Sequence, residues 1–288
     1  INNSMENPQE LKNAIINRSS VRRYLENDFE DSLIISIESI LNQDIETPFG
    51  NKPRFYLIDK QNFTEQKIKL GTYGFISGSR YFIVGAVAIN DYCLEDFGFA
   101  MEQIILELTV LGLGTCWLGG TFKRSEYEKT IQLEENHIIP AITPVGFPTP
   151  QKSLKEKIIK TLVRAKTRHP FNDLFFQSNL ESSFGEDIDT EFKEALEMVR
   201  LAPSAENAQP WRVIFTESNK FHFYLKHSKI IEKTFPKIDL QKVDMGIAMS
   251  HFELYLNKSG FKISWRSDAN GSFLEKDNLQ YIATAEVL

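Results

Sequence analysis

The chain has 288 residues, of which 42% are hydrophobic and 25% are charged. This composition excludes a mostly disordered protein, because enough apolar surface can be buried to offset the chain entropy. Lys and Arg number 33 against 39 Asp and Glu, and the net charge of −6 argues against a general nucleic-acid partner. Two cysteines form neither a disulfide framework nor a metal-binding pair, which is typical of a cytoplasmic protein.

The longest continuous apolar run is Tyr81–Ile89, far shorter than the roughly 20 residues that span a bilayer. No basic segment followed by an apolar stretch opens the chain, so we expect neither a secretory signal nor a membrane partner.

Helical spacing of apolar residues predicts helices over 31–42 and 189–201. The segment Phe99–Leu113 is apolar almost all round and predicts a buried helix. The segment Lys152–Arg168 carries seven basic residues against one acid. Two interpretations of it stay open, a solvated amphipathic helix and a phosphate site at the end of such a helix.

Runs rich in β-branched and aromatic residues predict strands. They are Arg54–Ile58, Tyr81–Ile89, Ile139–Val145, Trp211–Phe215, Lys220–Leu225, Phe261–Trp265 and Tyr281–Val287. Several of these strands follow one another without a helix between them. The sequence therefore predicts an α+β fold rather than a doubly wound parallel sheet.

An internal repeat divides the chain. The sequence Asp96–Met101, DFGFAM, matches Asp244–Met249, DMGIAM, and each opens a long helix that ends near a glycine. Upstream, Thr47–Pro53 resembles Ala202–Pro210, and a strand follows each loop. Two patterns in the same order indicate a duplication.

We expect two related lobes, residues 1–170 and residues 171–288, joined through Ser153–Ser183. The loop in the first lobe is two residues shorter than its counterpart in the second.

Several common kinds of site are excluded by their missing patterns. The five histidines do not cluster and no H-E-x-x-H occurs, so no metal site is expected. Neither G-x-S-x-G nor a phosphate-binding P-loop pattern is present. The pair Gly112 and Gly114 begins a dinucleotide fingerprint, but Trp117 stands where the third glycine belongs.

Four segments offer ligand-binding chemistry: Arg18–Tyr24 (RSSVRRY), Gly112–Gly120 (GLGTCWLGG), Lys166–Pro170 (KTRHP) and Ala202–Arg212 (APSAENAQPWR). Guanidinium forks bind phosphate, neutral amides suit the edge of a flavin or a base, and bare glycine N–H groups allow close approach to a ring. Each segment also has a purely structural interpretation. Arg18–Tyr24 could be a surface helix cap, and Gly112–Gly120 a helix C-cap with a tight turn. Lys166–Pro170 could be a solvated helix end, and Ala202–Arg212 a turn before a strand.

Together these segments resemble the FMN-dependent nitroreductase family, and the resemblance covers most of the chain in outline. Its specific parts are R-S-S-V-R-R-Y, G-L-G-T-C-W-L-G-G and, above all, A-P-S-A-E-N-A-Q-P-W-R. Family members are usually homodimers with two flavins in the subunit interface. The resemblance implies a nitroreductase-like α+β fold in which two lobes of one chain form a pseudo-dimer.

The resemblance also assigns residues to parts of FMN. It implies phosphate contacts from Arg18, Lys166 and Arg168, ribityl contacts from Ser19 and Ser20, and a pyrimidine-edge contact from Arg22, whose charge would favour reduced flavin. The ring would be met by Pro203, Ser204, Ala205 and Asn207 from the second lobe, and by Trp117, Leu118, Gly119 and Gly120 from the first, with a glycine N–H aimed at flavin N5.

The chain departs from the family pattern because each of these segments has only one intact copy. The early loop Thr47–Pro53 lacks the serine and the glutamine, and Phe261–Trp265 replaces W-L-G-G in the second lobe. We therefore expect one composite site, one FMN per chain, and a chain able to hold its flavin as a monomer. Further oligomerisation stays open.

The resemblance implies an oxidoreductase that passes electrons from NADH or NADPH to a nitroaromatic, a quinone or a similar small acceptor by a ping-pong mechanism. No side chain is expected to act as a catalytic acid, base or nucleophile, because flavin N5 carries the chemistry. The alternative is an FMN-binding protein without reductase turnover, such as a sensor or a flavin carrier. The same residues would bind FMN in both.

Overall fold

The computed structural model describes residues 5, 7–63, 71–150, 167–185, 188–216, 219–234, 237–267 and 278–288. Its helices and sheets confirm the α+β class, since the strands of each sheet are mostly antiparallel. None of the helices in these ranges is long and apolar enough to cross a membrane.

The described part of the chain forms seven α-helices. They are α1 (Pro8–Asn17), α2 (Asp31–Leu41), α3 (Cys93–Val110), α4 (Arg124–Thr130), α5 (Thr190–Leu201), α6 (Lys229–Thr234) and α7 (Leu240–Lys258). Side-chain caps begin three of them: Asn7 accepts from the N–H of Glu10, Asp189 from that of Glu191, and Asp239 from that of Gln241.

The strands form two five-stranded sheets. They are β1 (Arg54–Asp59), β2 (Tyr81–Ala88), β3 (Gly114–Thr115), β4 (His137–Ile138), β5 (Ile142–Gly146), β6 (Phe175–Gln177), β7 (Trp211–Thr216), β8 (Lys220–Lys226), β9 (Ile263–Arg266) and β10 (Leu279–Val287). The first sheet has the order β1-β2-β5-β3, with β4 also paired to β2, and the second has the order β6-β7-β8-β10-β9. Apart from β6, which runs parallel to β7, the second sheet repeats the strand order of the first.

Two predicted elements need new bounds. The strand expected over Ile139–Val145 begins only at Ile142, as β5, because Pro140 cannot donate a ladder hydrogen bond and the chain is irregular between β4 and β5. The buried helix expected from Phe99 begins earlier, at Cys93. No pattern predicts β6, which is only three residues long. The helix predicted over Lys152–Arg168 lies, except for its last two residues, outside the described residues.

The two long helices α3 and α7 pack against each other at the centre of the core. A Cβ atom on Gly98 of α3 would lie 2.1 Å from the carbonyl oxygen of Val243, and one on Gly246 of α7 would lie 1.8 Å from that of Glu95. Only glycine allows backbones this close. The contact is reciprocal, since each glycine meets the residue that precedes the repeated aspartate of the other helix.

Both long helices also end in the same way. Gly112 follows α3 with φ +77° and Gly260 follows α7 with φ +94°, the left-handed conformation that closes a helix. These glycines belong to the repeated sequence pattern, so the repeat extends from sequence into backbone geometry.

A second, smaller core lies on the face of the first sheet turned away from α3. There Tyr127 of α4 is fully buried against Phe82 and Phe122. This layer fixes the chain between β3 and β4, which carries the glycine-rich segment of the candidate site.

Candidate functional site

Arg18 lies at the end of α1, where its backbone N–H donates to the carbonyl of Ala14 at 2.8 Å and ends the helix. Its side chain is only 8% exposed. The Nε atom lies 3.9 Å from Oε1 of Glu102, while Nη1 is buried and has no hydrogen-bond partner among the residues that the structure describes. A buried guanidinium nitrogen with an unmet donor is costly, and it marks a place where an anion would bind.

Glu102 of α3 is the fully buried carboxylate that organises this region. It accepts from Nε1 of Trp117 at 2.8 Å and lies 3.0 Å from Nε2 of His251 on α7. The other ring nitrogen of His251 faces the carbonyl of Met198 at 2.8 Å, and therefore carries a hydrogen because a carbonyl only accepts. The contact between the carboxylate of Glu102 and the imidazole of His251 ties α3 to α7.

Arg168 lies beside Arg18, although the two are far apart in sequence. Its guanidinium donates from Nη1 to Oδ1 of Asn207 at 2.8 Å and from Nη2 to the carbonyl of Leu201 at 3.0 Å. Burial, then repulsion from Arg18 and Arg200, lowers the pKa of Arg168 to about 10. Two cations held this close are electrostatically unfavourable until an anion lies between them.

The loop of the second lobe is held from beneath by α7. The backbone N–H of Ala205 donates to both carboxylate oxygens of Asp244, at 2.9 and 3.1 Å. Burial raises the pKa of this carboxyl well above its usual range. Within the loop, the hydroxyl of Ser204 accepts from the N–H of Gln209 at 2.9 Å, and Pro203 is half-buried.

Asn207 ends this loop and connects it to Arg168. Besides accepting from Arg168, its side-chain amide donates to the carbonyl of Thr167 at 2.8 Å. Asn207 therefore joins the loop to the basic segment Thr167–Arg168 through two hydrogen bonds.

The shorter loop of the first lobe is anchored in the same manner. Asp96, the repeat partner of Asp244, accepts from the backbone N–H groups of Phe49 at 3.1 Å and Asn51 at 2.8 Å. Its surroundings differ, because the ring of Phe49 stacks on Tyr92 with centroids 4.2 Å apart, and the hydroxyl of Tyr92 contacts that of Ser267 at 2.5 Å. Aromatic side chains thus fill the region facing this loop.

The glycine-rich segment approaches α7 closely. A Cβ atom on Gly119 would lie 2.5 Å from the side chain of Leu240, and the carbonyl of Gly119 accepts from Arg124 at 3.0 Å. Leu118 is buried and exchanges both backbone hydrogen bonds with Ile142. It therefore fixes its neighbours in place, while Gly120 is exposed.

The arginine–serine segment, Arg18–Tyr24, runs alongside the glycine-rich segment, Gly112–Gly120. Ser20 pairs in parallel with Thr115, and the N–H of Val21 donates to the carbonyl of Thr115 at 2.8 Å. Ser19 is exposed and Arg22 is half-buried, with the carbonyl of Arg22 accepting from the N–H of Ser77 at 3.0 Å.

The structure links several of the residues that the sequence predicted. Arg168 donates to Asn207, Arg18 and Trp117 both lie against Glu102, and Ser20 pairs with Thr115 of the glycine-rich segment. Lys166 lies outside the described residues. The flavin contacts assigned to these residues stay predictions.

Sequence reasoning missed the buried groups that support the site, Glu102, His251 and Asp244. A signal was present for two of them: Glu102 is a carboxylate inside an otherwise apolar helix, and Asp244 belongs to the repeated DxGxAM pattern. His251 carried no signal, because only tertiary packing brings it to Glu102.

A loop with exposed aromatic side chains borders the site. Tyr73 is 64% exposed and Phe75 is 43% exposed, in a stretch whose Ser77 pairs with Arg22. The N–H of Lys123 donates to the carbonyl of Gly71, so this loop touches the chain that follows the glycine-rich segment.

Comparison with known proteins places this geometry in a family. A family model described as "Putative TM nitroreductase" matches residues 10–256. A solved structure described as a "putative nitroreductase" from Thermotoga maritima is 22% identical, with a TM-score of 0.60, and the match covers 96% of this chain and 93% of that one. This likeness shows a shared fold.

Two further solved structures match about half of the chain. A nitroreductase with bound FMN from Desulfitobacterium hafniense is 18% identical, with a TM-score of 0.42, and the match covers 50% of this chain and 91% of that one. An FMN-dependent nitroreductase from Clostridium difficile is 19% identical, with a TM-score of 0.40, and the match covers 49% of this chain and 88% of that one. No curated protein matches.

Proposed function

The chain belongs to the nitroreductase family described as "Putative TM nitroreductase", and from that premise we propose that it is an FMN-dependent oxidoreductase with one flavin site between its two lobes. The observation that carries the proposal is the buried, unpartnered Nη1 of Arg18 beside the guanidinium of Arg168. A ligand with a phosphate group at this place would satisfy the donor and separate the two charges.

The donor set fits a phosphate ester better than a carboxylate. Arg18 and Arg168 are both planar forks that suit tetrahedral oxyanions, and the first of them is held against Glu102 instead of being neutralised by a carboxylate of its own. Glu102 is shared among Arg18, Trp117 and His251, and Arg168 is repelled by the charges of Arg18 and Arg200. Lys166 and the hydroxyls of Ser19 and Ser20 would complete the phosphate and ribityl contacts.

The ring would lie between the two backbone segments that meet at the start of α7. Leu240 touches Gly119 from the first lobe, and Asp244 holds Ala205 from the second. In this arrangement Trp117, Leu118, Gly119 and Gly120 would run along one side of the ring. Pro203, Ser204, Ala205 and Asn207 would meet it from the other lobe, and Arg22 would lie at its pyrimidine edge.

FMN, when bound, supplies hydride and electron transfer at N5, which no side chain of this site performs. The task of the chain is to hold the ring and phosphate, to place positive charge near the pyrimidine edge, and to leave one face open to small molecules. We propose that NADH or NADPH and then a nitroaromatic, quinone or similar acceptor occupy that face in turn. Exposed Tyr73 and Phe75 favour planar aromatic acceptors.

We further propose that the chain is a pseudo-dimer produced by duplication, with lobes 1–170 and 171–288. The shared strand order, the reciprocal contact of Gly98 and Gly246, and the matching aspartate anchors support this interpretation. Because Phe49, Tyr92 and Ser267 fill the region around the first-lobe loop, one FMN per chain is expected.

The experiment is to purify the protein, release any bound chromophore by denaturation and count FMN against polypeptide. Without oxygen, NADH or NADPH should bleach the bound flavin, and a quinone added afterwards should restore its absorbance. A ratio near two would overturn the single site. Flavin that binds but is reduced by neither nucleotide within minutes would favour the alternative function, a flavin carrier or sensor.

A further inference from the structure

The peptide unit between Gly119 and Gly120 is held at its carbonyl end and free at its N–H end. The carbonyl of Gly119 accepts from Nη2 of Arg124 at 3.0 Å. Leu240 of α7 lies against the Cα atom of Gly119, where an added Cβ atom would be 2.5 Å from the leucine side chain. The N–H of Gly120 makes no hydrogen bond with the residues that the structure describes, and Gly120 is exposed. This N–H is therefore available to a ligand.

The geometry of the peptide unit decides where this N–H points. In a trans peptide the C=O and N–H bonds of one unit point in opposite directions. None of the peptide bonds in the described ranges is cis. Because Arg124 holds the carbonyl oxygen of Gly119, it directs the N–H of Gly120 away from its own guanidinium.

The guanidinium of Arg124 joins the glycine-rich segment to a second part of the chain. Its Nε donates to the carbonyl of Ile139 at 2.9 Å, and Nη2 donates to that of Pro140 at 3.2 Å as well as to that of Gly119. Ile139 and Pro140 belong to the irregular link between β4 and β5. The guanidinium also lies over the ring of Phe122, 4.7 Å from its centroid. These contacts fix the plane of the guanidinium and, with it, the carbonyl of Gly119.

Local sequence rules do not account for an arginine at this position. Arg124 is the first residue of α4, and no side chain caps this helix. A cation at the start of a helix is opposed by the helix dipole. Burial also lowers the pKa of Arg124, so its charged form is held at a cost. Departures from local preference of this kind are expected at functional sites.

We propose that Arg124 is a positioning residue for the flavin ring, because through the carbonyl of Gly119 it aims the N–H of Gly120 at flavin N5 and strengthens that donor. A hydrogen bond to the carbonyl polarises the whole peptide unit, and a charged donor does so more strongly than a neutral one. The inference rests on the proposed function, since the acceptor is an atom of FMN.

The test compares FMN with 5-deaza-FMN, in which a C–H group replaces N5 and cannot accept a hydrogen bond. Protein freed of its flavin is titrated with each ligand, and the ratio of the two dissociation constants is measured. Arg124→Met keeps an apolar stem and removes every donor. It should weaken binding of FMN by about five- to tenfold and binding of 5-deaza-FMN by less than about twofold. Arg54→Met, which removes an exposed arginine paired with Glu134, is the matched control and should change neither.

A second variant, Arg124→Lys, serves in case Arg124→Met does not fold. Its ammonium group keeps the charge but cannot hold three carbonyls as a planar fork does. Binding of FMN should weaken by about threefold, again with little change for 5-deaza-FMN.

Two results would overturn the inference. An unchanged ratio of the two dissociation constants in the folded variants, whether both ligands lose affinity or neither does, would overturn the role of Arg124 and leave the flavin site in place. Failure of the wild type to bind either flavin would overturn the proposed function, and this inference with it.

Discussion

Replacing Arg18 by methionine should have opposite effects on the flavin-free and the FMN-bound protein. Methionine keeps the length and the apolar packing of the buried stem but removes the charge. In the flavin-free protein the charge of Arg18 opposes that of Arg168, so its removal relieves repulsion. In the bound protein the same charge would contact the phosphate, so its removal weakens binding.

The size of each effect follows from the structure. The lowering of the pKa of Arg168 to about 10 corresponds to roughly 3 kcal/mol against its charged form. Burial is the larger cause and Arg18 the second, and solvent screens the partly exposed guanidinium of Arg168, so the relief is about 1 kcal/mol or less. A charge-assisted contact to the phosphate contributes about 1.5–3 kcal/mol, which is roughly 10- to 100-fold in affinity.

The assay is urea unfolding of flavin-free protein together with titration of FMN and of riboflavin, which lacks the phosphate. Arg18→Met should unfold at an equal or slightly higher urea concentration than the wild type, bind FMN more weakly and bind riboflavin as before. Arg54→Met, which removes an exposed arginine paired with Glu134, is the matched control and should leave both ligands unaffected.

Two outcomes would refute this reasoning. If the free energy of unfolding of flavin-free Arg18→Met is lower than that of the wild type by more than about 2 kcal/mol, the contact of Arg18 with Glu102 stabilises the fold by more than the repulsion from Arg168 destabilises it. If FMN and riboflavin lose affinity equally, Arg18 does not contact the phosphate.

Three further predictions concern buried groups. Burial raises the pKa of Glu95 to about 7 from 4.5, so its ionisation destabilises the folded state increasingly as the pH rises above 4.5. The free energy of unfolding of Glu95→Gln should therefore rise relative to that of the wild type, by up to about 3 kcal/mol between pH 4.5 and pH 8. Urea unfolding at both pH values that shows no such difference would contradict this prediction. Gly98→Ala should destabilise the protein by about 3 kcal/mol or more, because the added Cβ atom would clash with the backbone of α7. Gly112→Ala should cost only about 1 kcal/mol, because its added Cβ atom would have no neighbour within 4 Å. Similar melting temperatures for the two variants would rule out the close helix contact. Asp244→Ala should weaken FMN binding by about tenfold, because the backbone N–H of Ala205 in the second-lobe loop loses its acceptor. Asp244→Asn keeps an acceptor and should bind FMN with nearly the affinity of the wild type. FMN titration curves of Asp244→Ala that equal those of the wild type would mean that the loop does not contact the flavin.

Local sequence patterns determined most of the elements, because hydrophobic periodicity reflects which side of a helix or a strand is buried. The helices Asp31–Leu41 and Thr190–Leu201 and the strand Arg54–Asp59 lie within a residue or so of their predicted bounds. Where a local rule competed with the pattern, as Pro140 does between β4 and β5, the predicted bounds were wrong. A strand as short as β6 has too few residues to show a period at all.

The sequence by itself grouped the polar residues of the candidate site only within short segments. The arginine–serine segment, the glycine-rich segment and the loop before β7 each carry a recognisable pattern, so Arg18, Gly119 and Asn207 could be named from the chain alone. No local pattern brings Arg18 and Arg168 together: the family resemblance grouped them, and the tertiary structure places them near enough for their charges to interact. The tertiary structure alone decided that Glu102 and His251, on helices from different lobes, contact each other beneath the site, since burial and pairing are properties of the packed fold and not of the neighbouring sequence.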